Sequence, residues 1–220
     1  MNKFSIGEAL KFGWAGTKAN FWFFAGFLAI IMVIMAAVPM VLTGFKEAQN
    51  FRVQDLAAVI WQFVFGILVN IAVVAATLAV VDGQKPGLGA LFDRAHLFWR
   101  FLGANILYNL IFFAGLLLLI VPGIVWAIKY SQFRFFVVDK GMGPIEALKH
   151  SGRVTDGAKW QILLFGLALA GVNALGALAL LVGLLFTIPM TMLATAFVYR
   201  KLAASLEPAV VPATGAQTSA

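Results

Sequence analysis

The stretch VPGIVWAIKYSQFRFFVVDK, Val121–Lys140, decides the topology of the whole chain. It opens on Val121-Pro122-Gly123, where proline and glycine favour a turn. From Gly123 to Val138 it is then apolar except for Lys129, Ser131, Gln132 and Arg134. If it crosses a membrane, twelve of the sixteen Lys and Arg residues lie on one side, Lys46 and Arg52 lie on the other, and Lys129 and Arg134 are within the span. If it does not cross, the count falls to eight against six. Basic residues accumulate on the cytoplasmic side. The expected topology is therefore six spans with both termini cytoplasmic and Lys46 to Asp55 outside.

Outward from this stretch, marking every charged residue leaves four uncharged windows: Ala19 to Phe45, Leu56 to Val81, Phe101 to Ile128, and Trp160 to Tyr199. Each exceeds the ~20 residues that cross a hydrocarbon core. The last holds 40 residues, room for two spans turning at Val182-Gly183. The composition agrees. Of 220 residues, 62% are hydrophobic and 11% charged, where a soluble domain carries about 25% charged residues. The expected fold class is all-α, a polytopic integral membrane protein with one six-span domain over 1–203 and a flexible cytoplasmic tail over 204–220, rich in Pro, Ala, Thr and Ser.

The same composition excludes much chemistry. With no cysteine and two distant histidines, His96 and His150, the chain lacks the makings of a thiol site or a metal cage. No cofactor is expected. The net charge of +7 is spread over short loops, so it reads as a topology signal and not as a nucleic-acid surface. The first apolar run, too long for a signal-peptide core, reads as a retained span. No phosphate loop, no His-Glu-x-x-His and no Gly-x-Ser-x-Gly occurs. Ser151 beside His150 lacks an acid partner, and no enzyme activity is expected.

Amphipathic segments precede spans one, three and five: Phe4 to Lys18, Gly87 to Arg100, and Pro144 to Lys159. Ile6-Gly7-Glu8-Ala9-Leu10-Lys11 echoes Pro144-Ile145-Glu146-Ala147-Leu148-Lys149, and Leu88-Gly89-Ala90-Leu91 is a looser copy. The chain thus reads as three interfacial helices, each followed by a membrane hairpin, in a threefold internal repeat; likeness of composition among Ala/Leu helices is the alternative. On such helices Arg94, Trp99, Arg100, Lys149, Arg153 and Trp160 are the candidate interfacial lipid contacts.

Val121-Pro122-Gly123-Ile124, Tyr130, Phe133, Val138-Asp139-Lys140-Gly141, Glu146-Ala147-Leu148-Lys149-His150-Ser151, Gly157 and Trp160 together resemble bacterial inner-membrane proteins related to the membrane domain of glycerophosphodiester phosphodiesterases. The resemblance covers Phe4 to Leu202. It implies a six-span module without the phosphodiesterase domain, whose metal-binding acidic residues have no counterpart here.

Ionisable groups inside a membrane are costly, about 2.5 to 3.5 kcal/mol at its centre. Lys129, ten residues before Asp139 and so ~15 Å from it along a helix, is the first candidate. It either lines a polar cavity for an anion or lipid headgroup, or extends its amine to the membrane surface. Arg134, Asn70, Asn105, Asn109 and Asn173 are the other candidate cavity groups; Arg134, only five residues from Asp139, alternatively extends to the cytoplasmic headgroups, and hydrogen bonding between helices is the alternative role of the asparagines. Thr187, Thr191 and Thr195 form a stripe on the last span. Gly166, Ala170 and Ala174 form a small-residue face for close helix approach within the protomer, in a homo-oligomer or against a membrane protein partner. Two functions follow. One is a non-catalytic, lipid-associated or scaffold module of the bacterial inner membrane; the other is a small anion or lipid transporter with a polar cavity near Lys129.

Overall fold

The computed structural model describes residues 3–43, 53–87, 89, 93–179 and 183–206, and every regular element among them is helical. In chain order they are α1 (Ile6–Ala19), α2 (Phe21–Thr43), α3 (Val53–Val81), a 3-10 turn (Ala95–Leu97), α4 (Phe98–Leu118), α5 (Ile120–Lys129), α6 (Phe133–Lys140), α7 (Pro144–Val154), α8 (Lys159–Leu178) and α9 (Leu184–Ala204). Four stretches, Phe21–Val41, Asp55–Val81, Ala95–Leu118 and Lys159–Leu178, are long and apolar enough to cross a membrane. α9 has 21 residues but is less apolar, carrying three threonines, Tyr199, Arg200 and Lys201.

The expected fourth span, Gly123 to Val138, is not one helix. The turn precedes Pro122: Leu119 is extended at φ −169° and ψ 151°, and α5 starts at Ile120. Proline is tolerated in a first helical turn, where the missing N–H has no intrahelical acceptor to lose. α5 then ends after ten residues, and a turn over 130–132 leads into the eight-residue α6. The amphipathic segment Gly87 to Arg100 is also divided. Phe98 to Arg100 belong to α4, Ala95–Leu97 form the short turn, and Leu88 and 90–92 lie outside the described residues. Most of the loop from Lys46 to Asp55, Val182 of the last hairpin turn, and 207–220 of the tail also lie outside them.

α6 is the hub of the packing. Phe133, Phe135, Phe136, Val137 and Val138 are all buried, against α3, α4 and α7. Phe135 stacks on Tyr199 of α9 at 4.9 Å, and Phe133 stacks on Tyr108 of α4 at 4.9 Å. Gly141, left-handed at φ 63°, closes the helix. Around the hub one end of the bundle is knitted by charge. Arg200 holds Asp82 through two bonds of 2.9 and 2.6 Å and Asp139 through one of 2.7 Å, and Tyr199 donates to the same Asp139 oxygen. Arg94 donates to the Val138 carbonyl and Arg100 to that of Gly141. Lys3 donates to the carbonyls of Val154 and Asp156, and Gln161 to that of Phe4. We call this the basic end.

Two recurrences run through the helices. The second residues of α2, α4 and α8 are Trp22, Trp99 and Trp160, which are 86%, 76% and 78% exposed, all facing away from the bundle. Sixteen residues beyond the latter two come Gly115 and Gly176. A Cβ on Gly115 would stand 2.9 Å from Gly123 Cα, and one on Gly176 would stand 2.5 Å from Thr187 Oγ1 and 3.2 Å from the Gly183 carbonyl carbon. The α4/α5 and α8/α9 hairpins therefore both close on a pair of glycines. The segments before the long helices each pack on the bundle. α1 lies on α9, the Ala95–Leu97 turn touches α3, and α7 lies on α6 and α4. Glu8, Ala9 and Thr17 of α1 stand 138 residues before Glu146, Ala147 and Thr155, and both alanines and both threonines are fully buried.

These contacts predict opposite outcomes for two glycines of α8. Gly176→Val forces the α8/α9 crossing apart and should cost about 1 to 3 kcal/mol. Gly166→Ala meets nothing within 4 Å and should be neutral or up to ~1 kcal/mol stabilising through helix propensity. Chemical unfolding of the two purified variants in mixed micelles checks the pair.

Candidate functional site

Ending α5 in mid-bundle leaves carbonyls that a continued helix would have used. Each of the last three finds a hydroxyl. Tyr108 donates to Ala127 O at 3.4 Å, Ser131 to Ile128 O at 2.9 Å, and Ser151 to Lys129 O at 3.1 Å. Thr155 Oγ1 also stands 2.9 Å from Lys129 O, and the Gln132 N–H donates to Ser151 Oγ at 3.1 Å. Ser151 and Thr155 are fully buried on α7. They stitch the turn to that helix. His150 stands 5.6 Å from the Phe136 ring, and His96 Nδ1 is 2.9 Å from Asp93 O.

The break turns Lys129 and Arg134 in different directions. Lys129 runs its stem over α7 at Gly152, where a Cβ would stand 3.1 Å from Lys129 Cε. Its amine lies 5.4 Å from the centre of the Tyr130 ring. Lys129, Lys149, Arg153 and Asp156 share a groove of about 470 Å³ with an apolar floor that includes Leu107, Ile111 and Ile145. Lys159, 3.2 Å from Asp156, hydrogen-bonds its carboxyl and holds it below the ordinary carboxylate range. Lys129 acts on the same carboxylate from within the groove, so three cations there share one carboxylate and keep an excess of positive charge. In the sequence Lys129 is a candidate cavity group while Lys149 and Arg153 are candidate interfacial contacts; the structure brings the three into one groove.

Arg134 faces a different groove, of about 600 Å³, between α3 and α4, together with Asn70, Asn105 and Asn109. Each of these asparagines donates from Nδ2 to the carbonyl four residues earlier: Gly66 at 2.8 Å, Phe101 at 3.0 Å and Asn105 at 2.8 Å. Asn173 joins neither groove. It donates to Thr191 at 3.4 Å and so links α8 to α9. Trp99 and Trp160 stand at the surface, while Arg94 and Arg100 are engaged in holding α6. The sequence signals that were missed are the hydroxyls Tyr108, Ser131, Ser151 and Thr155. Among the described residues no cluster of three or more His, Cys, Asp or Glu residues could hold a metal.

The fold and the two grooves define a helical membrane protein whose polar groups converge between helices. More particularly, the chain belongs to the family described as "Protein of unknown function (DUF975)", whose model matches residues 37–205. It is 28% identical over 140 residues to the uncharacterized protein Rv2560 of Mycobacterium tuberculosis and, to the same degree, to the uncharacterized protein Mb2590 of Mycobacterium bovis. Each match covers 64% of this chain and 43% of the relative, so the chain spans less than half the length of these relatives. No solved structure matches.

The stitch predicts a graded loss. Thr155→Val leaves Ser151 to serve the Lys129 carbonyl and should cost about 1 kcal/mol. Adding Ser151→Ala leaves both that carbonyl and the Gln132 N–H without a partner and should raise the loss to about 2 to 5 kcal/mol. Unfolding midpoints of the single and double variants in micelles give the comparison.

Proposed function

We propose that this protein is a non-catalytic, lipid-associated module of the bacterial inner membrane, and that its groove of Lys129, Lys149 and Arg153 holds the phosphate of a phospholipid headgroup. The observation that carries this reading is the composition of that groove. Three cations stand at its rim, one engaged carboxylate beside them, and an apolar floor runs along α4. A phosphate has somewhere to bind and an acyl chain has somewhere to lie. The long Lys and Arg side chains place charge at the headgroup level while their stems cover apolar surface.

In this reading the chain crosses six times, with α5 and α6 together making the fourth crossing and α9 the sixth. The basic end is cytoplasmic, because the twelve-to-two charge bias and the three outward tryptophans mark one interface. The bundle is a threefold repeat of an interfacial segment and a hairpin. The Trp spacing, the paired glycines and the seating of α1, the 3-10 turn and α7 support that repeat.

Two measurements test the proposal. Native mass spectrometry of the purified protein should show retained phosphatidylglycerol, reduced by about tenfold or more in Lys149→Gln/Arg153→Gln and in Lys129→Met. Equal retention in all three proteins overturns the groove. For topology, Gln84, exposed between α3 and α4, is changed to Cys in this cysteine-free chain. An impermeant maleimide added to intact cells should leave it unlabelled and should label it after lysis; labelling in intact cells reverses the orientation.

A further inference from the structure

Arg134 is the second residue of α6, and unlike its buried neighbours it is exposed, to the groove between α3 and α4. Its guanidinium lies 5.7 Å from the Phe133 ring. Among the described residues no carboxylate pairs with it and no carbonyl accepts from it. Each asparagine opposite spends one Nδ2 proton on its own helix and keeps a second N–H and its Oδ1. The groove thus holds one uncompensated cation and three amides, each able to donate once more and to accept. The residues flanking it, Phe63, Ile106, Leu110 and Phe113, are 56% to 65% exposed apolar side chains, so it opens toward hydrocarbon.

Depth follows from helix rise. Asn70 is eleven residues from the end of α3 at Val81 and Asn109 eleven from the start of α4 at Phe98, so both lie ~16 Å from the basic end. Half of a ~30 Å hydrocarbon core is about that distance. Arg134 stands five residues before Asp139 and so ~8 Å from the basic end, at the mouth of this groove; a free guanidinium facing inward there is costly unless an anion meets it. A water-soluble anion would have to pass the apolar flank, whereas a lipid already lies beside it.

We infer that the α3/α4 groove is a second lipid site, independent of the Lys129 groove. It draws a phospholipid headgroup below its normal level, with the phosphodiester on Arg134 and the hydroxyl or ammonium donors of a glycerol or ethanolamine headgroup on Asn70, Asn105 and Asn109. The acyl chains stay in the bilayer along Phe63 and Phe113. The shared chemistry is a phosphodiester; the lipid and its water-soluble deacylated form are the two possible sources.

The test uses the full chain in nanodiscs containing phosphatidylethanolamine with a photoreactive diazirine on its headgroup. Crosslinks should map to residues 62–70 and 105–113. They should fall about tenfold or more in Arg134→Gln, recover in Arg134→Lys, and persist in Lys149→Gln/Arg153→Gln. Should Arg134→Gln fail to fold, Asn105→Leu/Asn109→Leu is read in its place, with the same loss expected. Competition with unlabelled phosphatidylethanolamine should remove the crosslinks, and glycerophosphoethanolamine should not. Crosslinks confined to α7, or unchanged by Arg134→Gln, overturn the site and leave Arg134 to a carboxylate of a partner helix. Because Lys149→Gln/Arg153→Gln is read separately, failure of one groove does not count against the other.

Discussion

The structure depends on three hydroxyl-bearing elements meeting the carbonyls at the end of α5. A buried backbone group left unmatched costs about 1 to 3 kcal/mol, so a helix can stop inside a bundle only where protein supplies the missing donors. Tyr108 from α4, Ser131 from the turn itself, and Ser151 and Thr155 from α7 do so. The turn they sustain carries α6 into the centre of the bundle, where it meets α3, α4 and α7. It also separates Lys129 from Arg134. On one continuous helix, five positions apart, the two would share much the same surroundings; across the turn each has its own groove.

Much of this was readable in the sequence, for identifiable reasons. Uncharged windows of adequate length became α2, α3, α4 and α8 because apolar helices of that length have few alternatives. Glu8, Ala9 and Lys11 matched Glu146, Ala147 and Lys149, and both alanines are fully buried in the structure. The break in Val121–Lys140 was not readable, since its determinants are Tyr108 and Thr155, distant in the chain and individually unremarkable. The turn was expected at Pro122, yet a proline fits the first turn of a helix as well as the loop before it, and hydropathy does not distinguish the two. Gathering Lys129, Asn70, Asn105, Asn109 and Asn173 around one cavity assumed a straight fourth span. With that span broken, lysine and asparagines lie in different grooves and Asn173 turns to Thr191.

The grooves differ in what they ask of a ligand. The Lys129 groove offers three cations on long stems, with one carboxylate among them. The Arg134 groove offers one cation and three amides anchored to their own helices, between two long helices. α4 forms a wall of both: Leu107 and Ile111 face the first, Asn105 and Asn109 the second. A shift of α4 would alter both, and Arg94 and Arg100, which tie the start of α4 to the end of α6, restrain such a shift.

The clamp at Arg200 bears on how the protein is made. Asp82 and Asp139 leave the ribosome long before the arginine that joins them, and α1 has its seat on α9, which follows every other described helix. During translation the two carboxylates and the buried face of α1 must therefore wait for α9. Closure of this bundle becomes a late event, and chains released before Arg200 would present to the cell's quality control an α1 without its seat.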